Sequence, residues 1–162
     1  VTFAPACEAK ICNPAQLSAR IEQCSRPLVF TNGVFDLLHR GHTTYLAQAR
    51  ALGASLLVAV NSDASVRKLN KGTDRPLNTL ADRMAVLAAL EVVSLVTWFD
   101  DDTPLALIRH VQPEVLVKGG DWPVDQIVGA ADVKARGGTV HSIPFAHQTS
   151  TTALLAKIRG HS

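Results

Sequence analysis

Residues 55–60 read Ser-Leu-Leu-Val-Ala-Val, apolar almost without a break. A strand with one wet face alternates apolar and polar residues. An unbroken run suits a strand covered on both faces, as in a parallel sheet flanked by helices. Further, less continuous apolar runs at 28–31, 92–98, 114–118 and 139–143 extend the pattern. Helical signals separate them. Asn13 or Pro14 opens a helix to about Cys24, with Leu17 and Ile21 on one face. A second helix spans 41–52, with Gly53 as its C-terminal cap. Asp63 caps a short helix through Leu69, and Thr79 caps one over 80–90. Thr103-Pro104 starts a helix to His110, residues 125–136 form another that Gly137-Gly138 ends, and 150–159 form the last. Strands spaced by helices imply right-handed βαβ crossovers. The expectation is a single α/β domain whose parallel five-stranded sheet carries helices on both faces. Residues 1–12 show no period and read as a surface arm, so 1–25 comprise an N-terminal arm and helix before the main domain at 26–162.

Composition narrows the function classes. The chain has 162 residues, 47% of them hydrophobic, enough for one domain with a sizeable core. A net charge of +2 argues against a dedicated nucleic-acid binder, which concentrates basic residues on one face. No apolar run reaches the ~18–20 residues of a membrane span, and the N-terminus lacks signal-peptide regions. Cys7, Cys12 and Cys24 are odd in number and precede the first clear strand. Free thiols in a reducing cytoplasm are the simplest reading, and no metal site is expected from them.

Ligands of parallel α/β sheets bind beyond the carboxyl ends of the strands. Polar clusters sit at those positions: 31–42, 61–78, 118–125 and 144–152. In the first, Gly33 supplies backbone angles barred to other residues and lets a phosphate approach the main chain. The helix starting near Gly41 aims N–H groups and positive dipole at the same place. His39 and His42, three apart, both face one side of its first turn, and Gly41 between them leaves room for a ligand. Two imidazoles there suit an anionic, oxygen-rich transition state. The plainer readings are surface histidines capping a helix, or a zinc pair, for which no third ligand is evident. In the second cluster Lys71, beside Gly72, and Arg75 are candidate phosphate clamps. Arg67 and Lys68 read as a solvated helix face, and the loop runs over 70–78. Asn61 and Asp63 are placed to bond sugar hydroxyls, or Asp63 is simply a cap. The third cluster, Lys118-Gly119-Gly120-Asp121-Trp122, allows close backbone approach, and Trp122 offers a flat face to a base or packs on its own loop. In the fourth, hydroxyls of Ser150, Thr151 and Thr152 at a helix start form an anion cradle, or ordinary capping.

The string from Gly33 to His42 resembles the HxGH signature of the cytidylyltransferase-like nucleotidyltransferases, and the similarity covers nearly the whole chain. Within that superfamily it is most similar to the heptose 1-phosphate adenylyltransferases. Phe30-Thr31-Asn32-Gly33-Val34-Phe35-Asp36, Val60-Asn61-Ser62-Asp63-Ala64-Ser65-Val66, Arg75-Pro76, Asp82-Arg83, Asp102-Thr103-Pro104, Leu116-Val117-Lys118-Gly119-Gly120-Asp121-Trp122 and Ser150-Thr151-Thr152 carry that narrower match. The resemblance implies a Rossmann-like fold. It also implies attack by a sugar-phosphate oxygen on the α-phosphorus of ATP with release of pyrophosphate, giving ADP-heptose for cell-surface polysaccharide. Mg²⁺ would accompany the ATP, and the chain would form a homo-oligomer, dimer or larger.

Residues and resemblance together assign catalysis to His39, His42 and Lys71. Nucleotide contacts fall to Asn32, Gly33, Val34, Phe35, His39, Gly41, His42, Lys118, Gly119, Asp121, Ser150, Thr151 and Thr152. Substrate contacts fall to Asp36, Asn61, Asp63, Lys71 and Arg75. The chain departs from the pattern at Val34, where a threonine is common, and at His147-Gln148-Thr149, where a glycine often precedes Ser-Thr-Thr. The sugar-kinase half of the bifunctional relatives is absent from this sequence, so another protein is expected to supply the sugar phosphate. Competing readings are a same-fold transferase with other substrates, such as CTP and glycerol 3-phosphate, and a non-catalytic nucleotide sensor. A redox dinucleotide enzyme fits poorly, because Gly33 lacks the GxGxxG context.

Overall fold

A computed structural model describes residues 5–69, 74–147 and 150–160. The five apolar runs become β1 (Leu28–Gly33), β2 (Ser55–Asn61), β3 (Leu95–Phe99), β4 (Val115–Gly119) and β5 (Thr139–Ile143). They form one sheet in the order β3-β2-β1-β4-β5, with every neighbouring pair parallel. The helices are α1 (Leu17–Glu22), α2 (Arg40–Arg50), α3 (Asp63–Lys68), α4 (Leu80–Ala88), α5 (Leu105–Val111), α6 (Ala130–Ala135) and α7 (Thr151–Ile158). The chain steps outward from β1 through β2 to β3, then crosses back to β4 on the other side of β1. Strand order therefore reverses between β1 and β4. Loops diverge at their carboxyl ends and leave a crevice there.

The central strands are buried on both faces because their side chains alternate between two cores. Leu28, Phe30, Leu57, Ala59 and Leu116 point to one core, where they meet Leu17 and Ile21 of α1, Ile108 and Val111 of α5, and Val133 of α6. Val29, Leu56, Val58, Val60 and Val117 point to the other, against Tyr45, Leu46 and Ala49 of α2 and Met84, Leu87 and Ala88 of α4. The α/β sandwich with helices on both faces is the architecture the sequence implied. No helix among the described residues is long and apolar enough to cross a membrane.

The segment before α1 lies along the sheet. Ile11 bridges Val96 in parallel fashion, and the Cys12 N–H donates to the Val96 carbonyl at 2.8 Å. Thr97 Oγ1 donates back to the Cys12 carbonyl at 3.0 Å. The open edge of β3 is thus covered by its own chain.

Three local expectations are corrected. Gly53 is not a left-handed cap: α2 closes at Ala51 with φ −65°. A Cβ on Gly53 would lie 2.6 Å from the Pro27 carbonyl oxygen and 2.7 Å from Val29 Cγ2, so the glycine is needed for close approach. The helix expected over 125–136 is interrupted. A short 3₁₀ turn spans Val124–Gln126, and α6 starts only after Gly129, whose φ of +85° no helix interior accommodates. At α3 the cap is Ser62, whose Oγ accepts from the Ser65 N–H at 3.1 Å, leaving the Asp63 carboxylate for another partner.

Replacing Gly53 with alanine forces the α2–β2 connection away from β1. The expected cost is about 1–3 kcal/mol, read as a lower urea midpoint at unchanged m-value.

Candidate active site

The loop from β1 to α2 builds the floor of the crevice. Its left-handed residue is Phe35, with φ +50°, and not Gly33, whose φ is ordinary. Gly33 serves by lacking a side chain: a Cβ there would lie 2.9 Å from the Phe35 ring. Behind this floor Thr31 and Tyr45 share a buried 2.5 Å hydrogen bond, and burial pushes the Tyr45 hydroxyl up to about 12. Tyr45 is therefore a neutral strut holding α2 against β1.

His39 is the N-cap of α2, its Nδ1 accepting from the Gly41 N–H at 3.1 Å. An accepting Nδ1 leaves the ring proton of neutral His39 on Nε2. A Cβ on Gly41 would lie 2.9 Å from His39 Cε1, so the glycine lets the imidazole fold back over the helix start. His42 stacks on His39 with ring centroids 3.9 Å apart and planes inclined 29°. Phe35 meets His42 edge-on at 5.4 Å. Burial pushes the His42 pKa down to about 4, with His39 adding to the effect and the Leu37 carbonyl weakly opposing it. Burial lowers His39 as well. His42 Nδ1 is buried without a hydrogen bond of normal geometry among the described residues. The pair is a neutral donor set beside a positive helix end.

Two clefts meet at His42. One, of ≈ 410 Å³, is lined by Val34, Phe35, Asp36, His39, His42, Arg75, Phe145, Ser150, Thr151 and Thr152. The starts of α2 and α7 thus face one cavity, and both helices direct positive dipole into it. Ser150 caps α7 by accepting from the Ala153 N–H at 3.0 Å, and Thr151 Oγ1 lies 3.5 Å from the Leu37 carbonyl. The second cleft, of ≈ 260 Å³, is lined by Asn32, Gly33, Val34, Phe35, His42, Tyr45, Lys118, Gly119, Trp122 and Phe145. Of the residues proposed from sequence, these clefts gather Asn32, Gly33, Val34, Phe35, Asp36, His39, His42, Arg75, Lys118, Gly119 and the three hydroxyl residues. Gly41 lies beneath the histidines. Asp121, Asn61 and Asp63 line neither cleft. Lys71, Gln148 and Thr149 fall outside the described residues.

The acidic candidates are already occupied. The Asp36 carboxylate, fully buried, pairs with Arg75 Nε at 2.6 Å and accepts from the Leu77 and Asn78 N–H groups at about 2.9 Å. It fixes the 75–78 loop against the β1–α2 loop and holds Arg75 at the cleft wall. Asn61 Nδ2 donates to Ser65 Oγ at 3.0 Å, inside α3's first turn. Asp63 pairs with Arg83 at 2.7 Å.

Arg83 carries no role in the sequence reading, yet it is the largest fully buried side chain. Its guanidinium donates to the Val34 carbonyl at 2.7 Å, the Asn78 carbonyl at 3.2 Å and the Asp63 carboxylate at 2.7 Å. One planar group thereby ties together the β1–α2 loop, the 75–78 loop and α3. Charged residues in a helical stretch normally mark the wet face, so nothing in the local pattern singled it out. Phe145 was likewise unassigned; it lines both clefts and meets His42 and Tyr45 edge-on. Trp122 folds over its own loop, its Nε1–H donating to the Gly119 carbonyl at 3.1 Å, while still half exposed.

Arg83→Met removes three hydrogen bonds and strands two carbonyls, with an expected loss of about 3 kcal/mol in urea unfolding. Arg83→Lys recovers little of it, because a point charge cannot reach three separated acceptors. The lowered His42 pKa has a defined sign. The unfolded chain binds more protons between about pH 4 and 6.5, so this contribution is complete above pH 6.5 and fades as pH falls toward 4. Wild-type protein should lose stability relative to His42→Gln across that window, and the His42 ring proton should titrate near pH 4 by NMR.

The cytidylyltransferase-like family model matches residues 30–154, a span that includes the histidine pair, both clefts and the start of α7. The chain is 56% identical over 154 residues to the D-beta-D-heptose 1-phosphate adenylyltransferase of Bordetella bronchiseptica, covering 94% of this chain and 95% of that protein. It is 58% identical over 133 residues to the bifunctional protein HldE of Pseudomonas syringae pv. syringae, covering 82% of this chain and 28% of that protein. Among solved structures, the lipopolysaccharide core biosynthesis protein from Thermoplasma volcanium GSS1 superposes with a TM-score of 0.62 at 27% identity, over 75% of this chain and 98% of that one. A pantoate-beta-alanine ligase from Francisella tularensis, 13% identical over 93% of this chain and 77% of that one with a TM-score of 0.60, shares the fold. By the match over residues 30–154, this chain belongs to the cytidylyltransferase-like family.

Proposed function

We propose that this chain transfers AMP from ATP to D-β-D-heptose 1-phosphate, releasing pyrophosphate and forming ADP-heptose. The observation that carries the substrate choice is the 56% identity over nearly the full length of the Bordetella adenylyltransferase. The crevice supplies the chemistry. The triphosphate lies in the ≈ 410 Å³ cleft between the starts of α2 and α7, against Ser150, Thr151 and Thr152. A phosphate oxygen of the sugar attacks the α-phosphorus in line. The bond from that phosphorus to the bridging oxygen breaks, and its electron pair leaves with pyrophosphate. A phosphate nucleophile needs no general base. Holding both reactants in one crevice supplies much of the acceleration.

His39 Nε2–H and the His42 imidazole stabilise charge building on the α-phosphate and the leaving group. Lys71 is assigned to the same task, and Arg75, held by Asp36, to the phosphate of the acceptor. Mg²⁺ enters with ATP as part of the substrate, ligated by phosphate oxygens and water. The cleft lining fits that arrangement: imidazoles, hydroxyls and a guanidinium, with its one carboxylate committed to Arg75. The product would feed cell-surface polysaccharide synthesis from the cytoplasm, in keeping with the structural likeness to a lipopolysaccharide core biosynthesis protein. A homo-oligomer, dimer or larger, is part of the same proposal, and light scattering reads it directly.

Pyrophosphate release should be fastest with ATP and the β-anomer of heptose 1-phosphate in a panel of ATP, GTP and CTP against both anomers and glycerol 3-phosphate. Preference for CTP with glycerol 3-phosphate, or nucleotide binding without pyrophosphate release, would sink the assignment. His39→Ala and His42→Ala should each lower kcat on the order of a hundredfold at unchanged far-UV circular dichroism. Near wild-type turnover in both would exclude the proposed role of the pair.

A further inference from the structure

Phe145 is a large aromatic side chain left 47% exposed where the two clefts adjoin. It lines both clefts, together with Val34, Phe35 and His42. Phe35 is nearly buried beneath the histidines, whereas Phe145 stands between the two cavities. Its ring is part of the boundary the two cavities share.

The ring is anchored on one side. A Cβ on Gly119 would lie 2.8 Å from Phe145 Cζ, so the bare glycine at the end of β4 is what admits it. Its ring neighbours both meet it at steep angles: His42 at 6.4 Å and 86°, Tyr45 at 5.7 Å and 62°. Among the described residues no ring lies parallel to it. Across the same cleft Trp122, 51% exposed, is fixed by its own hydrogen bond to the Gly119 carbonyl. Two half-exposed aromatic side chains, each seated over one of the adjacent glycines 119 and 120, therefore wall the ≈ 260 Å³ cavity. Phe145 also stands five positions before Ser150, so one short segment sets both the ring and the hydroxyls at the start of α7.

We infer that Phe145 is the residue that holds the nucleobase: its ring stacks on the flat heteroaromatic base in the smaller cleft while the phosphates occupy the larger one. A planar base matches an aromatic wall whose parallel position is unfilled. The inference rests on the nucleotide-transfer reading above and adds the group that recognises the base.

The test measures binding by calorimetry on the full chain, with ATP, inorganic tripolyphosphate and heptose 1-phosphate as separate probes. Tripolyphosphate carries the charge of ATP without the base. Wild-type protein should bind ATP more tightly than tripolyphosphate. Phe145→Ala should weaken ATP about tenfold and leave tripolyphosphate and heptose 1-phosphate within twofold. Phe145→Tyr should restore ATP binding. Equal weakening of ATP and tripolyphosphate would show that Phe145 acts only by packing on His42, and overturns the inference. Unchanged ATP binding in Phe145→Ala overturns it, as does weakening of heptose 1-phosphate alone or a failure of tyrosine to restore. If wild-type protein binds ATP as stated yet releases no pyrophosphate with any sugar phosphate, the proposed reaction falls while the Phe145 result stands.

Discussion

The guanidinium of Arg83 sits at 1% exposure beneath the crevice, and three segments of the rim are hung from it. Taking a guanidinium out of water costs several kcal/mol before any contact is made. Its partners offset that cost only if all three acceptors hold their places, so the arrangement selects geometry more than it adds stability. The Val34 carbonyl is fixed just before the left-handed Phe35, which turns the chain toward the histidines. Asp36, two residues on, grips the 75–78 loop through Arg75 and two backbone N–H groups. The β1–α2 loop and the loop opposite are thus cross-braced by two buried arginines. Neither loop changes shape without unpairing a buried charge.

That bracing bears on the electrostatics of the pair above it. His39 and His42 are in ring contact, and burial lowers both pKa values. Two protonated rings 3.9 Å apart repel, so the empty crevice holds them neutral at ordinary pH. Its attraction for an anion then comes from the starts of α2 and α7 and from Arg75. A bound triphosphate reverses the balance, since negative charge favours the imidazolium. Ligand binding and proton uptake are linked through the same two rings, and at His39 uptake on Nδ1 has to displace the bond from the Gly41 N–H.

The parts of this arrangement that the sequence disclosed are those encoded in one short stretch. The apolar run at 55–60 stated that β2 is covered on both faces, and the strand–helix alternation gave the parallel sheet. The spacing of His39 and His42 put both on one side of the start of α2, but not the stacking of their rings. What stayed hidden depends on partners distant in sequence. Arg83 lies on an amphipathic helix where a charged residue reads as solvent-facing, and its acceptors are 5, 20 and 49 positions away. Asp63 looked like a cap because Asp at such a position commonly is one, but Ser62 performed that task first. The break before α6 followed from Gly129 packing on Ile108, a contact no helical periodicity reports. Phe145 gave no signal because a lone aromatic after a strand is ordinary core material until the glycine beneath it is located.

The two halves of the proposed anion site differ in how they are anchored. The histidines stand on α2, whose Tyr45, Leu46 and Ala49 are buried in the core. The hydroxyls stand on α7, which buries no residue. At its start Thr151 reaches the Leu37 carbonyl at 3.5 Å, and beyond its end Arg159 pairs with Asp74 at the surface, where solvent screens the contact. Local opening free energy follows buried contacts, so α7 belongs to the weakly held end of this fold and α2 to the strongly held end. Such a division suits a site that must fix the groups acting at the reacting phosphorus yet admit and release a long polyanion. In the proposed reaction the rigid wall carries the chemistry. The wall proposed to lie over the phosphates is held by these end contacts and by half-buried residues, and one of its partners, Asp74, adjoins the Arg75 that faces the same cleft.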